Sequence, residues 1–351
     1  MHAPHLHPER SPFIDFAKGF SILTIVVFHY LLTLELRGSL AQAIRVGGAG
    51  VHLFMFASGF GLALGKQQGF GQFLSRRFKK VLIPYYVVVT VIFGLNLLLG
   101  LYPAGFGAYL SHLFLYKMFI DDYNSSFGYH FWFISAIIQF YLAFPLIDRL
   151  VRRLTPGRAV ATGLIVSLSY TSFVYLIGKG DQRVWNSFSL QFFWEFVLGM
   201  VIARTRLLPA LLATAWPVVL ASSLAGFAGM WLLAFMGGSV GRAFNDYFSF
   251  IGYTSACLLV YKIGTHGIRP LAQAFTAIGS FSYSLYLIHY LVLHLYLHLV
   301  RIGQPRLIDL TVALALSLLG AFYVEKGMQW LLSQLDRSRP ASTLALTGSE
   351  G

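Results

Sequence analysis

Charged residues are scarce in this 351-residue chain, and their scarcity excludes the commonest classes of protein. Lysine, arginine, aspartate and glutamate together make up 11% of the sequence, and only 13 side chains are acidic. Soluble globular proteins carry about 25% charged residues, so this chain has too little polar material to cover a water-soluble body. Because 57% of its residues are hydrophobic, intrinsic disorder is excluded as well. The composition predicts a membrane protein with several spanning helices.

Cysteine is limited to one residue, Cys257, which lies in an apolar run. A single cysteine forms no disulfide within the chain, and no neighbouring base would activate it as a nucleophile. The formal net charge of +13 does not indicate nucleic-acid binding, because the basic residues cluster in short breaks between apolar stretches. That distribution is typical of membrane topology. We expect the lipid bilayer as a partner and no nucleic acid.

The apolar stretches predict an all-α fold, a polytopic membrane bundle of about ten transmembrane helices. Crossing a hydrocarbon core about 30 Å thick takes roughly 20 apolar residues per helix. The ten candidate spans are 13–36, 47–66, 81–101, 129–150, 158–177, 188–204, 209–235, 244–263, 272–300 and 308–333. The shorter apolar stretch 106–120 contains His112 and Lys117 and is predicted to be interfacial or re-entrant.

Basic residues predict the orientation, since cytoplasmic loops are enriched in lysine and arginine. Thirteen follow the even-numbered spans: Lys66, Arg76, Arg77, Lys79, Lys80, Arg149, Arg152, Arg153, Arg158, Arg204, Arg206, Lys262 and Arg269. Eight follow the odd-numbered spans: Arg37, Arg45, Lys117, Lys179, Arg183, Arg242, Arg301 and Arg306. This bias predicts that both termini are cytoplasmic. We expect one membrane domain over 11–335, with disordered tails over 1–10 and 336–351.

The first predicted helix carries ionisable side chains on a single face. Ser11-Pro12 is a typical helix start. At 100° per residue, Lys18 and His29 share a face about 16 Å apart along the axis, and Asp15 is one turn before Lys18. Ionisable groups inside a membrane are costly and usually functional, and an imidazole can accept the proton of a hydroxyl. A core histidine that forms a hydrogen bond with a neighbouring helix is the alternative.

Five blocks of sequence, in order, make the chain resemble the acyltransferase-3 family of integral-membrane acyltransferases. The first block is an acid, a base, a glycine and a histidine, here Asp15, Lys18, Gly19 and His29. Lysine in place of the commoner arginine resembles the branch that contains fucose O-acetylase-like enzymes. The second block contains Ser58-Gly59-Phe60, a small pair that more often serves close helix packing than chemistry, and has His52 where an acid is often found. The third block places four cations before a Pro-aromatic helix: Arg76, Arg77, Lys79 and Lys80.

The last two blocks contribute aromatic and histidine side chains. The fourth contains His130, Trp132, Phe133, Tyr141 and Pro145, and is followed by the buried acid Glu195, whose partner the sequence does not identify. The fifth contains Ser282, Tyr283, Tyr286 and His289, with Glu325 near the last span. His294 and His298 have the spacing of a metal pair but no third ligand, so we expect no metal site.

The resemblance implies a membrane O-acetyltransferase that transfers an acyl group, usually acetyl, from acyl-CoA to a hydroxyl. It implies His29 as general base with Lys18, Asp15 and Glu325 in supporting catalytic roles, and Arg76, Arg77, Lys79 and Lys80 around the phosphates of the donor. The weaker acceptor-binding candidates are Ser58, His130, Trp132, Tyr283 and His289. The donor would be a substrate and not a resident cofactor. The acceptor would be a cell-surface glycan, a lipid-linked sugar or a small hydroxylated molecule, and the location a bacterial inner membrane. A polysaccharide or small-solute transporter on the same scaffold is the alternative.

Overall fold

The computed structural model describes residues 11–34, 36–38, 44, 46–65, 69–180, 182–236 and 238–337. Within these ranges the chain is helical and contains no strand, so the predicted all-α fold is confirmed. The predicted tail 1–10 lies outside the described residues, as does 338–351. The last helix ends at Arg337.

Fourteen α-helices follow one another among the described residues, with 3₁₀ turns between some of them. The first seven are α1 Pro12–Leu31, α2 Gly50–Ala63, α3 Phe70–Leu99, α4 Phe106–Leu113, α5 Trp132–Arg153, α6 Pro156–Leu176 and α7 Arg183–Asn186. The other seven are α8 Phe193–Thr205, α9 Leu208–Ala213, α10 Trp216–Met236, α11 Gly238–His266, α12 Arg269–Ser280, α13 Ser282–Leu299 and α14 Leu307–Arg337.

Seven helical stretches of the described chain are long and apolar enough to cross a membrane, or eight if α12 and α13 count as one bent span. The seven are Pro12–Leu34, Phe70–Leu99, Tyr129–Arg153, Pro156–Leu176, Arg183–Thr205, Trp216–Met236 and Leu307–Arg337. The predicted span 47–66 contains α2, which has only 14 residues. The predicted span 244–263 lies inside the 29-residue α11, whose polar side chains keep it out of the apolar set. The count of ten spans and the cytoplasmic termini therefore stay predictions.

The predicted span 272–300 is not one straight helix. The chain bends by 80° between α12 and α13, at Phe281. Ser282 begins α13 and donates a hydrogen bond from its hydroxyl to the carbonyl of Gly279, 2.9 Å away, which helps to satisfy the end of α12. No proline marks this break, so the helical periodicity carried no sign of it. The bend separates the residues that pack on the start of α1 from those that reach its end.

Glycine contacts bring the helices of the core close together. A Cβ atom added to Gly19 in α1 would lie 1.8 Å from the carbonyl oxygen of Phe275 in α12. A Cβ atom on Gly59 in α2 would lie 2.0 Å from the carbonyl oxygen of Phe196 in α8. At both crossings the backbones approach so closely that only glycine fits, as small residues allow between membrane helices. The structure thus gives Gly59 the packing role that the sequence favoured for the Ser-Gly pair.

Candidate active site

A large cavity of about 2060 Å³ runs between the helices and brings together side chains from almost the whole chain. One end is lined by side chains near the start of α1 and α3 and by those of α13 and α14: Asp15, Lys18, Arg77, Lys80, Ser284, Glu325 and Gln329. The other end is lined by side chains near the end of α1, at the start of α5 and in the 3₁₀ turn before it, and in α7 and α13: His29, Tyr129, His130, Trp132, Arg183 and Tyr290. We call these the cation end and the histidine end.

His29 forms a hydrogen-bonded pair with a second histidine at the histidine end. Its Nδ1 atom lies 2.9 Å from Nε2 of His289, and the two rings are nearly parallel. Nδ1 of His289 lies 2.8 Å from the carbonyl of Tyr286 and 3.1 Å from that of Leu285. Carbonyls only accept hydrogen bonds, so Nδ1 of neutral His289 carries the proton and its Nε2 is an acceptor. His29 therefore donates from Nδ1, and its Nε2 carries a lone pair.

The lone pair of His29 is available to a molecule in the cavity. Its side chain lines the cavity although the residue is only 8% exposed. Within the described ranges, no residue forms a hydrogen bond with its Nε2 atom. His29 lies in the last turn of α1. A neutral imidazole with a free nitrogen can take a proton from a hydroxyl.

Tyr30 supports the histidine pair through a hydrogen bond to the backbone of His289. Its hydroxyl donates to the carbonyl of His289 at 2.8 Å and lies 2.6 Å from the hydroxyl of Ser317 in α14. This ties the end of α1 to both α13 and α14. Neither residue was predicted as part of the site, because the only signal in the sequence is the position of Tyr30 next to His29.

His130 lies beside the pair. Its ring centroid is 4.5 Å from that of His289 and 6.3 Å from that of His29, and it stacks on Tyr290 at 4.9 Å. The hydroxyl of Tyr286 donates to its backbone carbonyl at 2.8 Å. Both ring nitrogens are buried without a hydrogen-bond partner in the described part of the chain. Three imidazoles thus meet at one point, which the sequence did not predict.

Arg183 places a positive charge at the histidine end. Its guanidinium lies over the rings of Tyr129 and Trp132, at 4.2 and 5.2 Å from their centroids, and donates to the hydroxyl of Ser187. Its buried Nε atom has no partner among the described residues. Trp132, expected near the acceptor, is therefore one face of a cation–π contact on the cavity wall. Arg183 was missed because its position between two predicted spans made it look like a topology residue.

The four predicted donor-binding cations face different ways. They lie inside α3, which begins at Phe70, and not in a loop before it. Arg77 and Lys80 line the main cavity, whereas Lys79 forms an ion pair of 2.9 Å with Asp336. Arg76 lines a smaller neighbouring cavity of about 300 Å³, to which Arg77 and Lys80 also belong. The helical period explains this split, because positions 77 and 80 share a face.

The acidic residues at the cation end bind neighbours on their own side of the cavity. Asp15 pairs with Lys18 at 3.5 Å, as the spacing predicted. Glu325 accepts hydrogen bonds from Ser284 at 2.7 Å and from Gln329 at 2.8 Å. The structure therefore places Glu325 against Ser284 and Gln329.

The other selected residues have structural partners. Glu195 lies 2.7 Å from Nδ1 of His52, which supplies the partner that the sequence left open. Tyr283 lines the cavity but donates its hydroxyl to the carbonyl of Val81 at 2.7 Å. Ser58 lines the cavity as well. In the described part of the chain, no three His, Cys, Asp or Glu residues are grouped to hold a metal ion.

Comparisons with known proteins identify the family. The acyltransferase-3 family, described as an acyltransferase domain, matches residues 11–326. The O-acetyltransferases OatA of Staphylococcus aureus strains NCTC 8325, COL and MRSA252 are 25% identical over 327 residues, which cover 81% of this chain and 50% of each relative. The chain thus spans about half the length of the curated relatives that it matches. No solved structure matches it. With its apolar helices and this match over most of its length, the chain is a multi-pass membrane protein that belongs to the acyltransferase-3 family.

Proposed function

We propose that the protein is an O-acyltransferase that transfers an acyl group, usually acetyl, from acyl-CoA to a hydroxyl of a glycan or a related acceptor. The observation that carries this proposal is the His29–His289 pair. Nε2 of His29 is free and faces the cavity, which continues to Arg77 and Lys80. The name of the OatA relatives supports an acetyl group and an oxygen acceptor. We further propose a bacterial inner membrane as its location, with the cation end on the cytoplasmic side.

The donor would lie along the cavity with its phosphates at the cation end. Arg77 and Lys80 share the wall there and can form charge-assisted hydrogen bonds with phosphate oxygens. Lys18 is about 16 Å from His29 along α1, so the extended arm of the donor can carry its thioester toward the histidine end. Ser282 and Ser284 line the cavity on the way and offer polar contacts to that arm.

His29 would act as general base on the acceptor hydroxyl. The hydroxyl oxygen attacks the thioester carbonyl carbon while its proton moves to Nε2 of His29. The tetrahedral intermediate then breaks its carbon–sulfur bond, and the coenzyme A thiolate takes the proton back from His29. The ester and free coenzyme A leave, and no other reactant is needed. Nε2 of His289 accepts a hydrogen bond from Nδ1 of His29 throughout the reaction and so maintains the orientation of the base.

The experiment compares His29→Ala with His298→Ala in membranes supplied with labelled acetyl-CoA. His298 is exposed and does not line the cavity, so its variant controls for the loss of a histidine. We expect His29→Ala to slow coenzyme A release and ester formation by about 10²–10⁴-fold, while His298→Ala retains the activity. Equal activity of the two variants would contradict the role of His29. Movement of an acceptor across the membrane without coenzyme A release would indicate the transporter instead.

A further inference from the structure

The cavity has a third part, which the transfer reaction does not explain. It is apolar and lined by one face of α10, with the side chains Leu224, Phe227, Ala228, Met230, Trp231, Ala234 and Phe235. Val174 of α6 contributes to the same cavity. We call this part the apolar arm. Water-soluble donors and acceptors have no use for such a surface.

The apolar arm opens toward the surroundings of the protein. Leu224 is 62% exposed and Trp231 is 53% exposed, although both line the cavity. Of the seven apolar spans found in the described chain, α10 has the least buried surface. It is joined to α11 by close backbone contact at Gly226 and Gly252. Because α10 is long and apolar enough to span a membrane, we expect lipid around this exposed face, and the arm would then connect the cavity with the bilayer.

Polar side chains lie between the apolar arm and the histidine end. Asn245, Asp246 and Ser249 project from α11 into the cavity, and Gln191 donates to Asp246 at 2.9 Å. Arg183 adds a guanidinium whose buried Nε atom has no hydrogen-bond partner among the described residues. The cavity therefore changes from apolar to polar along one direction and ends at the free nitrogen of His29. This gradient matches a molecule with a hydrocarbon chain at one end and a hydroxylated head at the other.

We infer that the acceptor is a membrane amphiphile, such as a lipid-linked sugar, that enters from the bilayer along α10 and presents its head group to His29. Its identification as the acceptor rests on the proposed function, whereas the amphiphile site itself does not. Lipid tails are as apolar as this surface, so the hydrocarbon chain of the amphiphile gains little binding free energy when it leaves the bilayer for the apolar arm. What the arm supplies is orientation, since it delivers the head group to the base from one direction.

The test uses dodecyl β-D-glucoside that carries a photoreactive diazirine in its alkyl chain, with the whole protein in lipid nanodiscs. Ala228 and Ala225 are exposed residues one turn apart on α10, but only Ala228 lines the cavity. Ala228→Phe fills the apolar arm, and Ala225→Phe adds the same ring outside it. We expect labelling of α10 that saturates, is displaced by unlabelled dodecyl glucoside, and falls at least fivefold in Ala228→Phe but not in Ala225→Phe.

The outcomes separate this inference from the proposed function. Labelling that does not saturate, or that is equal in the two variants, indicates ordinary bilayer lipid around α10 and overturns the amphiphile site. Displacement by palmitoyl-CoA but not by dodecyl glucoside overturns it too, because the arm then holds the chain of a donor. Saturable labelling without His29-dependent coenzyme A release leaves the amphiphile site standing and contradicts the acyltransferase proposal.

A transfer assay adds a second readout. Dodecyl and methyl β-D-glucoside share their hydroxyls and differ only in the chain. We expect Ala228→Phe, compared with Ala225→Phe, to lower the ratio of acetyl transfer to the dodecyl glucoside over transfer to the methyl glucoside about tenfold. An equal loss with both glucosides would overturn the role of the arm in acceptor delivery.

Discussion

Two nitrogens of His289 decide which nitrogen of His29 faces the cavity. One is committed to backbone carbonyls of α13 and the other accepts from His29. Without this chain of hydrogen bonds, the His29 ring could present either tautomer or turn away from the substrate. His289 is thus a positioning residue, which acts through His29.

Glutamine and methionine at position 289 separate positioning from packing. They have similar size, but only glutamine offers an oxygen that can accept the Nδ1 hydrogen of His29. We expect His289→Met to lower kcat by about 10²-fold with little change in KM, because a misplaced base costs about that much. His289→Gln should recover part of the loss. Steady-state kinetics with acetyl-CoA measures both, and equal kcat values in the two variants would contradict the positioning role.

His112 offers a pH test outside the spans. It accepts from Tyr85 at 2.8 Å and lies 3.0 Å from the hydroxyl of Ser126. Burial and the nearby charge of Lys117 lower the pKa of His112 to about 3. Between pH 6.5 and 3 the unfolded chain therefore binds a proton that the folded chain does not, so stability falls as the pH falls.

The lowered pKa of His112 is expected to reduce the free energy of unfolding by about 2 kcal/mol between pH 6.5 and pH 5, at 1.36 kcal/mol per pH unit. Thermal melting in detergent at the two pH values measures it. His112→Gln removes this group and should melt with a smaller pH dependence than the parent protein. The same pH dependence in both proteins would mean that other groups cause it.

At the scale of the elements, close helix crossings at glycine residues determine where the two histidines of the pair lie. Gly19 brings α1 against α12, and the 80° bend at Phe281 then directs α13 toward the end of α1. His29 and His289 meet only because both conditions hold. A shift of one helix by an ångström would break a hydrogen bond of 2.9 Å.

A methyl group at Gly19 tests this crossing. Gly19→Ala would place Cβ 1.8 Å from a carbonyl oxygen, so the helices must separate. We expect a loss of about 1–3 kcal/mol in stability and a loss of transfer activity. Gly94→Ala in α3 is the matched control, because nothing lies within 4 Å of its added Cβ atom. Melting temperature and coenzyme A release measure both variants, and a Gly19→Ala protein as stable and active as Gly94→Ala would contradict this account.

At the scale of the whole molecule, the cavity joins two chemically different ends. The cation end draws on the starts of α1 and α3 and on α14, and the histidine end on the end of α1, the start of α5, and α7. If the donor lies along the cavity, its two ends are recognised by different parts of the bundle. Changes at one end should then affect binding without affecting the chemistry at the other.

Neutral residues at 77 and 80 test this separation. Each of Arg77→Gln and Lys80→Gln should raise KM for acetyl-CoA about tenfold, since a hydrogen bond to a charged group contributes about 1.5–3 kcal/mol. Because the lost contacts are to phosphates, KM for acetyl-pantetheine should not change, and neither should kcat. Lys79→Gln is the control, as Lys79 pairs with Asp336 away from the cavity. An equal effect of all three variants would indicate general surface charge.

The sequence by itself determined the class of protein, the helical fold and much of the site. Composition indicated membrane helices, and the period of 3.6 residues put Asp15, Lys18 and His29 on one face, all of which line the cavity. Motif order indicated the family, which the match over residues 11–326 confirmed. These features are local or additive, so they can be recognised without knowing which helices touch.

Only the tertiary structure decided how distant residues meet. His29 and His289 are 260 residues apart, and spacing along the chain carries no information on contacts of that range. The bend at Phe281, the partner of Glu195 and the place of Arg183 depend in the same way on helix packing. A membrane helix is apolar on most faces, so its sequence does not show which face meets a neighbour and which meets lipid. Backbone approach at a few glycines selects that face, and with it the arrangement of the site.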